Sequence, residues 1–389
     1  MKARSIGNGV HLLGAIDWDR RLFDALIPLP DGTSYNAYLV QGNDATALLD
    51  TVDPPLAGIL LEQLAGVPRL DYIVAHHAEQ DHSGTLPRVL AKYPEATVLC
   101  TPKGKGMLVD HLGLDPARIK EVADGETVSL GGKTLEFVHA PWQHWPETMV
   151  TFLREDKILF SCDLFGSHLA TTELYPDEAR LYEPAKRYFA EIMMPFRTVI
   201  QRNLDKLDGY EASIIAPSHG PLYQNPRFIR EAYREWVSGT AKNLVAVAYV
   251  SMHDSTSLMV DHLVSALAER GVLVAKFNMV DADLGKLAMA LVDAATIVLG
   301  TPTVLTGPHP AMAHAAFLTN MLRPRAKYAA IIGSFGWGGK TVEQLTAMLG
   351  NLKVELLPAV LAKGLPKAAD YAALDALADA IAARHSELM

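Results

Sequence analysis

The run His77-Ala78-Glu79-Gln80-Asp81-His82 places four potential metal ligands within six residues. Three donors of the same kinds follow later in the chain: His144 in PWQHWPETM, Asp163 in KILFSCDLFG and His219 in IIAPSHGP. A single histidine is usually a structural or solvated side chain. Seven nitrogen and oxygen donors grouped in this way instead predict a binuclear metal centre.

Each candidate ligand follows an apolar run that is typical of a β-strand. The runs are YIVAH before Glu79, LEFVHA before His144, KILFSC before Asp163 and IIAP before His219. Loops at strand ends are positioned by a rigid sheet, which can hold ligands in fixed directions. We therefore expect the seven donors on loops at one edge of the first domain, with Ser83-Gly84 turning the chain into the next helix.

The length of 389 residues predicts two domains. Residues 1–240 contain strand-like runs separated by turns and helical patterns, which indicates an α+β domain. These runs are YNAYLV, ATALLD, YIVAHH, TVLC, LEFVHA, MVTFL and KILFS. The boundary is predicted near Thr240, in SGTAKN, so that the second domain covers 241–389.

Residues 241–389 alternate regularly between strands and helices. The predicted strands are LVAVAYV, VLVAKF, TIVLG, YAAIIG and KVELL. The predicted helices cover 256–270, 284–292, 311–321, 341–349 and 367–384. Five strands alternating with five helices specify a doubly wound parallel sheet.

Composition excludes several classes of protein. The net charge of -9 disfavours nucleic-acid binding, which depends on Lys and Arg neutralising phosphates. No apolar leader or membrane-spanning run is visible, so we expect a soluble cytoplasmic protein. Cys100 and Cys162 are the only cysteines, and without a CxxC pair they predict no rubredoxin-type iron, zinc ribbon or iron–sulfur cluster.

The ligand spacing resembles that of the metallo-β-lactamase fold, and more specifically that of the flavodiiron proteins, also called A-type flavoproteins. Hydrolases of this fold typically carry His-x-His-x-Asp-His and bind zinc, whereas this chain has Glu79 at the second histidine position. A carboxylate makes the site harder and more anionic, which suits iron that passes between ferrous and ferric states. The resemblance covers essentially the whole chain. It implies a metallo-β-lactamase-like αββα domain followed by a flavodoxin-like domain.

The resemblance also implies a role for each ligand. His77, Glu79 and His144 would hold one iron, Asp81, His82 and His219 the other, and Asp163 would bridge the two. In some family members the imidazole matching His82 is turned away from the metal. No catalytic residue is expected beyond these ligands, although Phe23 and Tyr188 are candidates for positions beside the irons.

Other residues near the motif have simpler interpretations. His76 is expected to support the ligands or the structure rather than bind metal, and His139 is expected to be packed. Cys162 is interpreted as a buried thiol that points away from Asp163, because neighbouring residues of an extended strand face opposite sides.

Three loops of the second domain resemble the FMN loops of flavodoxins. The first lies between a strand and a helix, where backbone amides and hydroxyls can hold a phosphate. Phe335 or Trp337 of the third loop can cover the flavin ring. The predicted FMN-binding residues are Ser251, Met252, His253, Asp254, Ser255, Thr256, Pro302, Thr303, Val304, Leu305, Thr306, Gly307, Ser334, Phe335, Gly336, Trp337 and Gly338.

A diiron site with FMN implies an oxidoreductase that reduces O2 to water, NO to N2O, or both, as a means of detoxification. The family brings FMN of one chain to the diiron site of another in a head-to-tail homodimer or a dimer of dimers, to which Trp145 and Trp337 would contribute. The chain ends soon after a helix, so we expect a separate electron donor: a rubredoxin, another reduced carrier or a deazaflavin.

Two alternatives remain open from the sequence. A zinc hydrolase with an accessory flavodoxin-like domain would fit the fold, since zinc usually outcompetes ferrous iron for the same ligands. Glu79 is the feature against it. An electron carrier with an inert first domain is the other alternative, and the complete set of ligands disfavours it.

Overall fold

The computed structural model describes residues 2–388. The chain forms two compact units. The first contains the residues up to Phe189 together with Phe196–Val237, and the second contains Ala190–Pro195 and the residues from Ser238 onward. Among the described residues, no helix is both long enough and apolar enough to cross a membrane.

The first unit contains fourteen strands and seven α-helices in its described part. The strands are β1 (Arg4–Gly7), β2 (Val10–Asp17), β3 (Leu22–Phe23), β4 (Ile27–Pro28), β5 (Thr33–Gln41), β6 (Thr46–Leu49), β7 (Tyr72–Val74), β8 (Thr97–Cys100), β9 (Ile119–Glu121), β10 (Thr127–Ser129), β11 (Thr134–His139), β12 (Met149–Leu153), β13 (Ile158–Cys162) and β14 (Ile214–Pro217). The helices are α1 (Ala57–Gln63), α2 (Gln80–Ser83), α3 (Leu86–Lys92), α4 (Pro102–Leu112), α5 (Glu178–Tyr188), α6 (Arg197–Leu207) and α7 (Pro226–Val237).

Two mixed sheets face each other in this unit. One has the strand order β1-β2-β5-β6-β7-β8-β9 and the other the order β10-β11-β12-β13-β14. Alternate residues such as Leu135 and Phe137 of β11, or Ile158 and Phe160 of β13, enter one shared core between the sheets. The intervening residues Leu48, Ile73 and Val98 are also fully buried, so the first sheet is covered on both faces.

Three of the loops that carry predicted ligands follow the carboxyl ends of parallel strands. Strands β6, β7 and β8 are parallel, as are β13 and β14, so the loops after β7, β13 and β14 leave from carboxyl ends. Part of the loop after β7 is helical, because the short helix α2 begins directly after Glu79 and carries Asp81 and His82. This helical turn differs from the simple loop expected, and it brings both side chains round toward the ligands of the other loops.

The described part of the second unit contains seven strands and five α-helices. The strands are β15 (Lys242–Tyr249), β16 (Leu273–Asn278), β17 (Ala294–Val304), β18 (Gly307–Pro308), β19 (Tyr328–Phe335), β20 (Glu355–Leu356) and β21 (Val360–Lys363). The helices are α8 (Ser255–Glu269), α9 (Leu284–Asp293), α10 (Pro310–Leu322), α11 (Thr341–Met348) and α12 (Ala368–Ser386). The order β16-β15-β17-β19-β20 with parallel pairing is that of a flavodoxin-like sheet.

Two details of this sheet differ from the sequence prediction. KVELL forms only the two-residue strand β20, and β21 then pairs with β19 instead, since Pro358 between them has no N–H for the ladder. Strand β17 runs past Gly300 to Val304 because it turns back into β18 through Leu305 and Thr306, both with positive φ. Residues 301–304 are therefore strand rather than loop.

Candidate metal centre and flavin site

The seven predicted donors meet in two groups at the strand ends of the first unit. His77, His144 and Asp163 form one group, and Asp81, His82 and His219 form the other, with one ligand atom of each residue within 4.8 Å of its partners. Glu79 completes the first group. His77, Asp81, His82, Asp163 and His219 are buried.

The first group surrounds a space between Glu79 and Asp163. Glu79 Oε2 lies 3.0 Å from His77 Nε2 and 3.2 Å from His144 Nε2. Both imidazole nitrogens lie 3.6 Å from Asp163 Oδ2. Three donors and one shared carboxylate oxygen therefore point at one position.

The second group repeats this arrangement on the other oxygen of Asp163. Asp163 Oδ1 lies 3.1 Å from His82 Nε2 and 3.4 Å from His219 Nε2. Asp81 completes the group, since its two oxygens lie 3.4 Å from His82 Nε2 and 3.2 Å from His219 Nε2. His82 therefore faces the ligands in this chain and is not turned away.

The hydrogen bonds made by Nδ1 of His77 and His219 indicate whether a metal would fit at Nε2 of each ring. His77 Nδ1 lies 2.7 Å from Glu147 Oε1, and His219 Nδ1 lies 2.8 Å from the carbonyl oxygen of Ser34. Both partners can only accept, so each Nδ1 carries a hydrogen and each Nε2 is left facing carboxylates. This arrangement requires positive charge between Nε2 and the carboxylates, and a divalent metal at each group fits this need.

Two further observations support the fit. Both Asp81 oxygens are buried and have no hydrogen-bond partner among the described residues, as expected for oxygens reserved for a metal. Burial lowers the pKa of His77, but hydrogen bonds to Glu147 and Glu79 and the charge of Asp163 outweigh burial and raise it to about 10. The site thus strongly favours positive charge.

Three residues that support the ligands were missed in the sequence. Glu147 binds His77 and also accepts the backbone N–H of Ala78 at 2.9 Å. It lies three residues after His144, and that position was an available signal. Ser34 acts through its carbonyl oxygen, which carries no sequence signal. Asp50 accepts hydrogen bonds from His76 Nδ1 at 2.7 Å and Ser218 Oγ at 3.2 Å, so it joins the residues that precede His77 and His219.

The two residues predicted to lie beside the metal ligands both contact them. Tyr188 donates its hydroxyl to Asp163 Oδ1 at 2.9 Å, and the Phe23 ring centroid lies 6.0 Å from that of His219. Trp145 packs its ring against His77 at 4.9 Å. His139 is half-buried and its Nε2 lies 3.0 Å from the carbonyl oxygen of Val122, away from the donor groups.

The predicted direction of Cys162 is wrong. Its thiol is buried, but Sγ lies 3.9 Å from Asp163 Oδ2 rather than on the opposite face. The reason is a φ of 52° at Cys162, where the pairing of β13 with β14 shifts register between Phe160 and Cys162. This irregularity ends the alternation of an extended strand. Burial, with the charges of Asp163 and Asp50, raises the pKa of the thiol well above its usual value.

The second unit contains a cavity of about 300 Å³ at the carboxyl ends of its central strands, within the size range of small-ligand sites. Most of its lining comes from the three predicted loops. The lining residues are Ser251, Met252, His253, Ser255, Thr256, Pro302, Thr303, Ser334, Phe335, Gly336, Trp337 and Gly364. Gly364 was not predicted, because it follows β21, a strand that the sequence pattern did not reveal.

The cavity offers the groups that a flavin mononucleotide needs. Helix α8 begins at Ser255 beside the hydroxyl-rich first loop, and the Ser257 N–H of its first turn donates to Ser251 Oγ at 3.2 Å. Thr256 Oγ1 and Ser334 Oγ lie 3.1 Å apart and join the first loop to the third. The Trp337 side chain is 90% exposed at the rim.

Other predicted flavin residues lie beside the cavity rather than in its lining. Asp254, with a φ of 62°, caps the backbone turn into α8, and Gly338 has a φ of 126°. Val304, Leu305, Thr306 and Gly307 form the β17–β18 turn, whose Leu305 side chain is 90% exposed. Gly333 permits the close approach of two strands, because a Cβ there would lie 1.9 Å from the carbonyl oxygen of Thr301.

Comparisons with known proteins agree with these features. Residues 33–220 match the family model described as "ODP family beta lactamase". A nitric oxide reductase of Moorella thermoacetica is 34% identical over 98% of both chains. The structure of rubredoxin oxygen:oxidoreductase from Desulfovibrio gigas superimposes with a TM-score of 0.96 and 30% identity, over 100% of this chain and 99% of that one.

A flavodiiron protein from Giardia intestinalis is also similar, with a TM-score of 0.91, 26% identity, and coverage of 100% of this chain and 98% of that one. These likenesses confirm the fold class predicted from the sequence, a metallo-β-lactamase-like domain followed by a flavodoxin-like domain. The chain belongs to the flavodiiron family, also known as the type A flavoproteins.

Proposed function

We propose that this protein reduces O2 to water, NO to N2O, or both, at a non-haem diiron site supplied with electrons through FMN. The observation that carries the proposal is that the two carboxylate oxygens of Asp163 face different ligand groups. Its Oδ2 faces His77 and His144, and its Oδ1 faces His82 and His219. One carboxylate oxygen is thus available to each of two metals, which suits a substrate or substrate pair that must engage both.

The ligand groups assign the two metals. His77, Glu79 and His144 would hold one iron, while Asp81, His82 and His219 would hold the other, with Asp163 as the bridge. When bound, the two irons supply one electron each and FMN restores them in one-electron steps. Glu79 favours iron over zinc, since it places a carboxylate where hydrolases of this fold use imidazole.

The residues around the ligands keep them in place. Tyr188 donates to Asp163 Oδ1, and Glu147 fixes the ring of His77. Such contacts orient the metal ligands and tune their basicity. His144 and Glu79 are the least buried ligands, with side chains 16% and 14% exposed, so the first metal position lies nearest to solvent.

The flavin would occupy the cavity of the second unit. The start of α8, with Ser255 and Thr256, would receive the phosphate, and the loops containing Pro302 and Phe335 would flank the ring. An external donor would reduce the flavin: a rubredoxin, another reduced carrier or a deazaflavin. A head-to-tail homodimer, or a dimer of dimers, would bring FMN of one chain to the iron site of the other.

The test is an anaerobic assay of protein loaded with ferrous iron and FMN. The chemically reduced protein is mixed with O2 and with NO in parallel, while flavin absorbance and N2O are measured. We expect rapid flavin reoxidation by at least one gas. Asp163→Ala should retain the flavin but return to the slow rate of flavin alone, whereas Asp156→Asn, outside the ligand groups, should behave as the unaltered protein.

Two results would overturn the proposal. One is reoxidation by both gases that is no faster than in Asp163→Ala. The other is tight, stoichiometric zinc with esterase turnover, which would identify the hydrolase alternative.

A further inference from the structure

Buried polar atoms without partners are concentrated around His219. Tyr35 and His168 pack their rings against that imidazole, with centroids 5.5 Å and 5.3 Å away. Both side chains are at least 98% buried, yet Tyr35 Oη and His168 Nε2 have no hydrogen-bond partner among the described residues. Leaving a buried polar atom unpaired costs about 1–3 kcal/mol, so two such atoms beside one ligand call for a physical reason.

Other buried polar atoms without hydrogen-bond partners lie on the surface side and on the metal-ligand side of this pair. Toward the surface, Arg20 Nε is buried without a partner, while another nitrogen of the same guanidinium lies 3.6 Å from Asp53 Oδ2 and the side chain is 34% exposed. Toward the metal ligands, the oxygens of Asp81 are unpartnered. Unpartnered polar atoms therefore occur both at the Arg20–Asp53 pair and at Asp81.

The apolar ring of Phe23 contacts two of these side chains, His168 and Arg20. Its ring centroid is 5.2 Å from His168, and the guanidinium carbon of Arg20 lies 6.0 Å from the ring centre. The side chains that carry the unpartnered atoms are thus joined by ring contacts through Phe23 and His219. Buried polar atoms in such regions are normally satisfied by ordered water that makes two to four hydrogen bonds.

We propose that Arg20, Tyr35 and His168 line a water-filled passage from the Arg20–Asp53 pair at the surface to the Asp81 side of the second metal position, and that this passage delivers protons. The proposal rests on the proposed function. Reduction of O2 consumes four electrons and four protons to give two waters, and reduction of two NO consumes two electrons and two protons to give N2O and one water. The external donor supplies the electrons through FMN, and the passage supplies the protons.

The burial of the second ligand group explains the need for such a route. His82, His219 and Asp81 are each at most 8% exposed, in contrast to Glu79 and His144. A hydroxyl in a water chain accepts a proton from one neighbour while giving its own to the next, so Tyr35 would keep its charge throughout. Replacing it with phenylalanine removes one link and leaves the ring packed against His219.

Tyr35→Phe in the iron- and FMN-loaded, reduced protein is the direct test. In single turnovers with O2 or NO, the protonation-dependent phase should slow by about tenfold or more, with a larger solvent isotope effect in D2O. The matched control is Tyr38→Phe on the same strand, since the Tyr38 hydroxyl is equally buried but bonded to the carbonyl oxygen of Pro217 at 2.6 Å. Arg20→Gln, at the partly exposed end, should produce a smaller effect of the same kind.

A second measurement does not depend on turnover. A high-resolution crystal structure of the unaltered protein should show ordered water bonded to Tyr35 Oη and to His168 Nε2. Dry atoms at both positions would overturn the proposal, as would an unchanged isotope effect in a folded, metal-loaded Tyr35→Phe protein. If the unaltered protein reduces neither gas, the proposed function fails, and the crystallographic result still decides whether the passage exists.

Discussion

At the scale of single residues, the orientation of each imidazole decides what the site can bind. His77 and His219 commit their Nδ1 hydrogens to Glu147 and to the Ser34 carbonyl, which leaves Nε2 for a metal. Burial lowers the pKa of His82, but the charges of Asp163 and Asp81 outweigh it and raise the pKa to about 9. The imidazoles are therefore already oriented to bind a cation before the cation is present.

Glu147 gives the first prediction. In Glu147→Gln an amide replaces the charged acceptor of the His77 Nδ1–H, which lowers the basicity of that imidazole. We expect one of the two metals to bind about 10 to 100 times more weakly, while the second is little changed. Anaerobic titration with ferrous or cobaltous ion measures both affinities.

Glu126→Gln is the control for this change, because Glu126 also accepts a backbone N–H and a lysine hydrogen bond but lies outside the ligand groups. Equal losses at both metals, or none at either, would contradict the assigned role of Glu147.

Glu79 gives the second prediction, because it distinguishes this site from the zinc-binding motif. Glu79→His restores His-x-His-x-Asp-His, and we expect the zinc-to-iron ratio of the purified protein to rise about tenfold or more, with loss of gas reduction. Glu79→Asp keeps the carboxylate and should remain selective for iron with weaker binding. Metal analysis after growth in defined iron and zinc measures the ratio. An unchanged ratio in Glu79→His would show that other residues select the metal.

At the scale of elements, the carboxyl-terminal helix α12 is fixed to its sheet by a buried histidine. His385 Nδ1 donates to Asn243 Oδ1 at 2.9 Å on β15, and Nε2 lies 2.7 Å from Thr296 Oγ1 on β17. The neutral ring with its hydrogen on Nδ1 makes both bonds, with the Thr296 hydroxyl as the donor to Nε2. Burial lowers the pKa of His385, because the charged form would lose its solvation.

This contact predicts how α12 responds to acid. A histidine whose pKa is lower in the folded state binds fewer protons than in the unfolded state, so its stabilisation is full above about pH 6.5 and declines as the pH falls below that value. Each unit of lowering corresponds to about 1.4 kcal/mol of unfolding free energy. His385→Gln should therefore destabilise the protein more at pH 7.5 than at pH 5.5, as measured by denaturant unfolding.

The exposed His314 on α10 supplies the control for this prediction. His314→Gln should change the unfolding free energy little at either pH. A loss of unfolding free energy in His385→Gln that grows in acid would contradict a lowered pKa of His385 in the folded protein.

At the scale of the whole molecule, the proposed head-to-tail dimer can be tested by mixing defective chains. Asp163→Ala removes the metal bridge, and Ser255→Glu places a carboxylate at the start of α8 where the flavin phosphate would bind. Each variant alone should be inactive. In mixed dimers, FMN of the first variant would meet the metal site of the second. Random mixing should restore about a quarter of the active sites, since half of the dimers are mixed and each has one complete site.

The measurement is gas reduction by the co-expressed, doubly tagged pair. Mixing two copies of the same variant under the same conditions supplies the background. Full activity in either variant alone, or none in purified mixed dimers, would contradict the head-to-tail arrangement.

The types of donor in the candidate site could be predicted from the sequence alone. Donor types are fixed by residue identity, and the alternation of apolar runs with turns placed each donor after a strand, so the seven candidate ligands, the two halves and three candidate flavin loops were predicted without coordinates. In that prediction, Glu79 favours iron over zinc. These features are local, and local patterns survive without knowledge of distant contacts.

The arrangement of the donors follows from contacts between distant parts of the chain. The division of Asp163 between two groups, the inward direction of His82 and the bonds to Glu147 and Ser34 depend on strands that are far apart in the chain. The same holds for Gly364, which enters the cavity through the unrecognised strand β21, and for Cys162, whose positive φ reverses its expected direction. The direction of a side chain and its hydrogen bonds to backbone carbonyls depend on packing between distant segments. No single segment of the sequence specifies that packing.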